Sequence, residues 1–234
     1  MGIKMFTGAP KGTYNFPIIG KGTVGFAKEI AKAVESHNVT TNVKMSPNRV
    51  AGYVDISKEL ILTDTVGVFD AIRRSLYDAV AEYLQYAILD DAAKSDERPA
   101  GLLNGAEVKS VANFKDLCNL EATLQDAHFD NIKYVVSNKA YAALRNMPKS
   151  TKTTQLVLED DHIDAVPVIR TGALKDSKIV LGDFSNIVAA VWDNAQITID
   201  DTSLAVYGMV RLVVNAYVDW AVIRPESFVV ATIA

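Results

Sequence analysis

Cysteine is almost absent from this sequence, and so are the apolar segments that direct a chain into or across a membrane. Cys118 is the only cysteine among 234 residues, so no internal disulfide can form, and folding in a reducing, intracellular compartment is expected. The N-terminus lacks the apolar stretch of a signal peptide, and no run approaches the ~18 uninterrupted apolar residues that a membrane span needs. The sequence therefore predicts a soluble protein that is not secreted by that route.

An excess of positive charge is also missing. The formal net charge is -4, whereas domains that neutralise phosphates are usually strongly basic, so nucleic acid is not expected as a direct ligand. Hydrophobic residues make up 49% of the chain and charged residues 22%, proportions that exclude a disordered chain and predict a globular protein with a substantial core.

The residue patterns of catalytic and metal sites are missing as well. No HExxH, GxSxG or strand-following GxGxxG is present, and the three histidines, His37, His128 and His162, lie in separate segments without metal-ligand spacing. The acidic run at 159–162 lacks the glycine and spacing of a calcium loop and is interpreted as a solvated turn. The glycines at 20–22 lack the Lys-Ser/Thr of a phosphate loop. No catalytic, cofactor-binding or metal-binding residue is assigned.

The N-terminal region is rich in glycine and proline. Six glycines and two prolines fall in the first 25 residues, and the apolar residues Phe16 and Ile18 lie between glycine-rich flanks. Two interpretations are open: a flexible tail, or an arm that lies on a neighbouring subunit. Residues 26–35 then predict a short helix or a bent strand.

Alternating apolar residues from 39 to 56, broken at Ser46-Pro47, predict two strands that form a protruding hairpin. The longest predicted helix follows at about residues 65–91, where apolar side chains recur at three- and four-residue spacing and Asp64 or Thr65 can cap the start.

Arg73 and Arg74 lie on the polar face of this helix. Asp70 and Asp78 are each four residues from Arg74, a spacing at which ion pairs stabilise helices by a few tenths of a kcal/mol. The charges are interpreted either as a solvated face or as a surface that meets charges on an adjoining subunit.

The remaining chain alternates helices and strands. A helix is predicted at 111–126, a buried strand at 132–136, and an edge strand at 166–169, because proline removes a ladder donor. Residues 178–225 predict strand, turn, strand, acidic turn and one long strand that ends at a proline. The fold class is therefore α+β. The polar residues of the terminal sheet fall at its turns, so we interpret this sheet as an architectural element rather than a reaction centre.

Several passages, in this order and spacing, resemble the tailed-bacteriophage major capsid proteins of the Hong Kong 97 type. One of them, RPAGLLNG, is similar to a "PxGLLN" string that is common after the long helix in that family. The resembling passages are residues 49–64, 98–105, 133–147, 165–174, 178–200 and 210–232.

The resemblance implies the Hong Kong 97-like capsid fold, with an arm, an extended β-hairpin loop and two subdomains. The arm would be residues 1–13 and the extended loop residues 14–55. The implied peripheral subdomain comprises 56–104 and 203–234, with the spine helix at 65–91 and a returning strand at 209–224, and the implied axial subdomain comprises 105–202.

The resemblance also implies a structural protein rather than an enzyme. It would assemble with itself, as hexamers and pentamers, into an icosahedral shell around the double-stranded DNA of a tailed phage or prophage. Assembly would take place in the bacterial host cytoplasm with a scaffolding protein and a portal, without a cofactor, membrane or small-molecule substrate. Candidate subunit-interface residues are Phe16, Ile18, Arg73 and Arg74.

Two alternatives stay open: an encapsulin-like compartment shell that encloses cargo enzymes, and a small-molecule enzyme of α+β fold. Two departures from the family pattern also matter. Few residues precede the expected extended loop, which implies either a processed form or a separately encoded scaffold. Gly208 stands where some members carry a crosslinking asparagine, so no isopeptide bond is expected.

Overall fold

The computed structural model describes residues 2–8, 12–19, 40–63, 67–127, 129, 131–150 and 154–233. Several sequence predictions lie outside these described residues: the element at 26–35, the glycines at 20–22, the helix caps Asp64 and Thr65, and two histidines, His37 and His128.

Thirteen strands and four helices are found in the described part of the chain. The strands are β1 Lys4–Thr7, β2 Tyr14–Ile19, β3 Thr40–Met45, β4 Asn48–Ser57, β5 Val108–Val111, β6 Lys133–Ser137, β7 Leu158–Glu159, β8 His162–Ile163, β9 Val166–Thr171, β10 Lys178–Gly182, β11 Ile187–Asp200, β12 Met209–Val222 and β13 Phe228–Ile233. The helices are α1 Lys58–Leu62, α2 Val68–Ile88, α3 Phe114–Asp126 and α4 Asn138–Asn146. The predicted α+β class is confirmed.

A four-stranded sheet in the order β1-β11-β12-β4 carries the long helix α2. Alternate residues of β12 are buried, and Val214 and Ala216 pack against Val80 of α2. The intervening residues of β12 form the opposite, more polar face, as expected for a strand with one face on a core. The predicted long strand of the last third is therefore confirmed.

Helix α2 has 21 residues and is about 32 Å long at ~1.5 Å per residue. It ends at Ile88, three residues before the predicted end at residue 91. It ends there because backbone N–H groups of the following loop donate hydrogen bonds to its last carbonyl groups. The backbone N–H of Leu102 donates to the carbonyl oxygen of Ile88 at 2.8 Å. Only Val80 and Ala87 of the helix are buried, so most of its surface is available to other molecules.

The second sheet has seven strands in the order β5-β13-β10-β6-β9-β8-β7, with α3 and α4 packed in the same core. Asn113 and Asp116 form a capping box at the start of α3, and Ser137 caps α4. The prediction of an edge strand at 166–169 is wrong, because β9 lies between β6 and β8. The Val168 N–H faces β8, where it donates to the Asp161 carbonyl oxygen at 2.8 Å, so the nitrogen of Pro167 faces β6. The pairing with β6 begins only at Val168, and the missing donor of Pro167 therefore removes no bond of that ladder.

The predicted pairing of the two strands around Ser46 is also wrong, although both strands and the break exist. Strand β3 pairs with β2, whereas β4 continues into the four-stranded sheet and pairs with β12. The connection between β3 and β4 is held by the buried Asp219, whose Oδ2 accepts the backbone N–H of Ser46 at 2.8 Å.

Strand β1 pairs in parallel with β11 of the same chain. At residues 4–7 the N-terminal segment is therefore an edge strand of its own subunit's sheet rather than a flexible tail.

The two sheets divide the chain differently from the expected ranges. β11 lies in the four-stranded sheet, although it falls within 105–202, and β13 lies in the seven-stranded sheet, although it falls within 203–234. The chain crosses between the sheets through two single-turn 3-10 helices, Phe184–Asn186 and Pro225–Ser227. Short crossings with a turn-forming Asp and Pro are hard to distinguish from turns within one sheet by sequence.

Candidate assembly surfaces

The interface candidates Phe16 and Ile18 lie on β2, in the two-stranded hairpin. The ring of Phe16 is half-buried, and its centroid is 5.7 Å from that of Phe6 on β1. It also packs against a small core that contains Met45 and Val188. Phe16 therefore anchors the hairpin to its own chain, while part of the ring remains available to a neighbour.

We predict that Phe16→Ala lowers the free energy of unfolding by about 1 kcal/mol, roughly half the value for a fully buried side chain. Loss of this anchor should also loosen the hairpin and reduce particle formation. Thermal unfolding and sedimentation velocity measure the two effects. Asn15→Ala is the control, since Asn15 is an exposed residue of the same strand. Particles formed normally by Phe16→Ala would contradict this role.

The other candidates, Arg73 and Arg74, lie on the exposed side of α2. Arg73 Nη1 is 3.8 Å from Asp70 Oδ1, and the Arg73 guanidinium carbon is 5.9 Å from the ring centroid of Phe69. The predicted ion pairs of Arg74 with Asp70 and Asp78 are wrong. Among the described residues Asp70 pairs with Arg73 instead, and Arg74 forms no ion pair. Within the described residues no contact joins these arginines to Phe16 or Ile18.

A more exposed apolar surface escaped the sequence analysis. We call it the tip, and it consists of Leu62 at the end of α1 with Val206 and Tyr207 in the turn between β11 and β12. These side chains are 86%, 94% and 76% exposed. The backbone N–H of Lys58 donates to the Gly208 carbonyl oxygen at 2.8 Å, which ties α1 to this turn. The sequence feature that indicates this surface is the apolar run Leu-Ala-Val-Tyr, which lies inside a turn interpreted as acidic.

A groove lies between α2 and the helix-facing side of β4. It has a volume of about 360 Å³, and Val50 and Gly52 of β4 line it together with Val214 of β12. Leu76, Ala79 and Tyr83 of α2 form one wall. Arg98 also lines the groove, and its Nη2 donates to Asp90 Oδ2 at 3.3 Å, while its buried Nε has no hydrogen-bond partner among the described residues.

A larger cavity of about 580 Å³ lies beside Asp219. Burial raises the pKa of the Asp219 carboxyl group. Its two oxygens accept the backbone N–H groups of Ser46 and Trp220, both at 2.8 Å, so this carboxylate is engaged in holding the backbone. The geometry therefore supports a structural rather than a catalytic role for the most deeply buried acid of the cavity.

The polar face of the four-stranded sheet carries a bidentate ion pair. Arg211 Nε and Nη2 donate to the two carboxylate oxygens of Asp55 at 2.7 and 2.9 Å, and the Arg211 guanidinium carbon is 4.2 Å from the ring centroid of Tyr53. The hydrogen bonds from Arg211 lower the pKa of Asp55 below its ordinary value.

We predict that Asp55→Asn destabilises the subunit at neutral pH and that this difference disappears in acid. Because the pKa of Asp55 is lower in the folded state, its contribution is present above the ordinary value of 3.8 and is lost as the pH falls through the folded-state pKa. Urea unfolding of both proteins across this range measures it. The control is the same change in an Arg211→Met background, where the ion pair is already absent and Asp55→Asn should cost less.

The acidic run at 159–162 forms the turn between β7 and β8, as predicted, with Asp160 and Asp161 in the left-handed region. Among the residues that the structure describes, no group of three or more His, Cys, Asp or Glu is placed to hold a metal ion. No helix in this part of the chain is long and apolar enough to cross a membrane.

Large apolar side chains remain exposed at the tip and on α2, as is typical of a protein that contacts other molecules. A family model described as the phage capsid family matches residues 3–233. The chain therefore belongs to the phage capsid family and is a capsid shell subunit.

Solved structures share this fold over the whole chain. A structure from Microbacterium phage Oxtober96 has a TM-score of 0.80 at 16% identity and covers 100% of this chain and 90% of its own. The capsid of a native GTA particle has a TM-score of 0.77 at 16% identity, with 100% and 88% covered. A structure from Mycobacterium phage Adephagia has a TM-score of 0.79 at 13% identity, with the same coverage. No curated protein sequence matches the chain.

Proposed function

We propose that this subunit forms hexamers and pentamers that close into an icosahedral shell around the double-stranded DNA of a tailed phage or prophage. The observation that carries the proposal is the family match over nearly the whole chain, together with the Hong Kong 97-type fold. The shell is a component of the virion and is assembled in the host cytoplasm. The family is a structural one, and the subunit has no enzymatic role.

The two sheets correspond to the two subdomains of such a shell protein. In this proposal the four-stranded sheet with α2 is the peripheral subdomain, and the seven-stranded sheet with α3 and α4 is the axial subdomain. The hairpin of β2 and β3 begins the extended loop, and β1 belongs to the arm. This division moves β11 to the peripheral subdomain and β13 to the axial one.

Contacts between copies supply the cohesion of the shell. The candidates are the exposed part of β2 with Phe16 and Ile18, the charged side of α2 with Arg73 and Arg74, and the tip. A standard interface buries about 1,600 Å² in total, so a shell held by many such patches does not depend on one strong contact.

DNA is enclosed without sequence-specific binding. A net charge of -4 agrees with this role, because a shell must enclose compacted DNA without binding its phosphates tightly. A scaffolding protein and a portal are the further partners of this assembly.

Sedimentation velocity at increasing protein concentration, with and without the scaffolding protein, tests the proposal. Large particles or ring-shaped capsomers are expected, and a strictly monomeric profile with scaffold present would contradict assembly. The content of purified particles separates the two kinds of shell. Nucleic acid supports a virion, whereas a protein cargo would show an encapsulin-like compartment.

A further inference from the structure

We propose that β4 pairs with β4 of a second copy, edge to edge and antiparallel, so that the four-stranded sheets of two subunits become one continuous sheet. This inference rests on the proposed self-assembly and specifies one of its contacts. β4 is an end strand of its sheet and pairs there with β12. Its other edge pairs with no strand in the described part of the chain.

The free edge of β4 is long and unprotected. β4 has ten residues, whereas the other end strands of the two large sheets, β1, β5 and β7, have four, four and two. Proteins often block a long edge with a lysine, a proline or a bulge. β4 contains no lysine or proline, and its register against β12 has no shift. Such an edge favours pairing with a further strand.

The backbone groups at this edge belong to alternate residues of β4. The Lys58 N–H donates to the Gly208 carbonyl oxygen at 2.8 Å, and this bond continues the register of β4 with β12. The even-numbered residues of β4 therefore bond to β12, and residues 49, 51, 53 and 55 direct their N–H and C=O groups to the free edge. Among the described residues, no hydrogen bond to these backbone groups is found.

The sequence of β4 is complementary to itself about Gly52. Arg49 precedes this glycine by three residues and Asp55 follows it by three. An antiparallel pairing centred on Gly52 therefore places each Arg49 opposite Asp55 of the other copy. Opposite charges on directly opposed residues stabilise a strand pair. The same register sets odd-numbered residues opposite odd-numbered residues, so the free backbone groups of the two copies meet. This self-matching points to a second copy as the occupant of the edge.

Both charged residues can form this contact and keep their present partners. Arg49 Nε donates to Asn215 Oδ1 at 2.8 Å, and no carboxylate pairs with Arg49 among the residues that the structure describes. Arg211 donates one hydrogen bond to each carboxylate oxygen of Asp55. An ionised carboxylate accepts about four hydrogen bonds. Asp55 therefore retains acceptor sites for Arg49 of a second copy.

The groove provides an apolar match on the helix-facing side of the strand. Its lining includes the consecutive residues 48–52, so it extends along β4 beside the free edge. In the proposed register Val54 of the second copy lies opposite Val50. Both valines are only half-buried within their own subunit. Pairing would cover their remaining surface, which extends the apolar contact across the joined sheet.

A contact of this kind is isologous, because the same surface of both copies is used and the two copies are related by a twofold axis. Icosahedral symmetry includes twofold axes, so the contact is compatible with the proposed shell. It joins subunits in pairs and leaves the other candidate surfaces free for further neighbours.

Crosslinking through a single cysteine tests the pairing in assembled particles. In a Cys118→Ser background, Ala51→Cys places one thiol on the exposed face of β4, one residue from the centre of the pairing. The two Ala51 positions would be diagonal neighbours across the twofold axis, about 7–8 Å apart. A short bismaleimide should therefore produce covalent dimers on a denaturing gel.

The matched control is Ser57→Cys in the same background. Ser57 is an exposed residue of the same strand, but it lies five residues from Gly52. The two thiols would be about 33 Å apart at ~3.3 Å per residue, beyond the reach of the reagent. Dimers from Ala51→Cys and none from Ser57→Cys support the pairing. Equal crosslinking of the two variants would overturn it, because the strands would then lack this register.

Reversal of the charge at Arg49 tests the match directly. Added to Ala51→Cys, Arg49→Glu places like charges opposite each other at both ends of the pairing and should weaken the contact about tenfold. Arg49→Lys keeps the charge and should crosslink as before. Thermal unfolding of each subunit checks that the fold is retained. Undiminished dimers from the Arg49→Glu protein would contradict the charge match.

Gly52→Cys, at the centre of the pairing, keeps the test decisive if Ala51→Cys fails to assemble. Its Cβ atom would lie 3.7 Å from the Val214 side chain, an ordinary contact, and oxidation should link two copies without a reagent. Particles without dimers from either variant, or with adducts to a different protein, would overturn the pairing and leave the shell function intact. Failure of the wild-type chain to form particles would instead contradict the proposed function.

Discussion

Gly101→Ala should leave little folded subunit in solution. A Cβ atom at this position would lie 2.0 Å from the backbone oxygen of Asp90, a distance that no rotamer change can relieve. The backbone N–H groups around it close the end of α2: Gly101 donates to Ala92 at 3.0 Å and Leu103 to Asp90 at 3.0 Å. Relief of the clash would break these bonds and move the loop away from the helix.

The expected loss exceeds about 4 kcal/mol, which is most of the stability of a domain at the lower end of the usual range of about 5–15 kcal/mol. The soluble yield and the urea midpoint of the purified protein measure it. Gly172→Ala is the matched control, because its Cβ would meet only the Asn138 side chain at 3.9 Å. Wild-type stability of Gly101→Ala would show that the loop does not close α2 as described.

The double change Val206→Asp with Tyr207→Asp should abolish particles while the subunit stays folded. Both side chains are exposed, so the fold loses little, and surface changes usually stay within about 0.5 kcal/mol. In the assembly, however, each copy would lose the burial of two apolar side chains, about 3 kcal/mol or more. Since about 1.4 kcal/mol is a factor of ten, each contact weakens at least roughly a hundredfold.

Thermal unfolding of the isolated subunit and the particle yield by sedimentation measure these two effects. Val206→Ile with Tyr207→Phe keeps the apolar surface and should assemble normally. Normal particles from the aspartate variant would contradict a role for the tip in assembly.

Much of the fold could be predicted where one periodicity dominates. The three-to-four-residue spacing of α2 and the leucines of α3 are local signals, and buried residues alternate along β12 from Met209 to Val218. The shell function followed from a resemblance spread over the chain, rather than from any reactive residue.

Strand partners could not be predicted in the same way. The alternation of β3 and β4 shows two strands but does not show that β3 pairs with the earlier β2, since pairing depends on contacts such as that of Asp219 with Ser46 across 173 positions. The strand β9 is interior for the same kind of reason, although it contains a proline.

Assembly surfaces were the least predictable part. Phe16 is recognisable from the sequence as an apolar residue, but only the structure shows that its ring packs against Phe6 of its own chain. The sequence places Val206 and Tyr207 in an acidic turn, and only the structure shows that both side chains are largely exposed. The sequence records hydrophobicity, whereas an interface depends on which hydrophobic groups remain uncovered after folding.

The most direct test of self-assembly is negative-stain electron microscopy of the wild-type chain expressed with its neighbouring gene products. Closed shells of uniform size, built from hexameric and pentameric capsomers, are the predicted result. Dispersed single subunits at high concentration, with the scaffolding protein present, would contradict the assignment as a self-assembling capsid subunit.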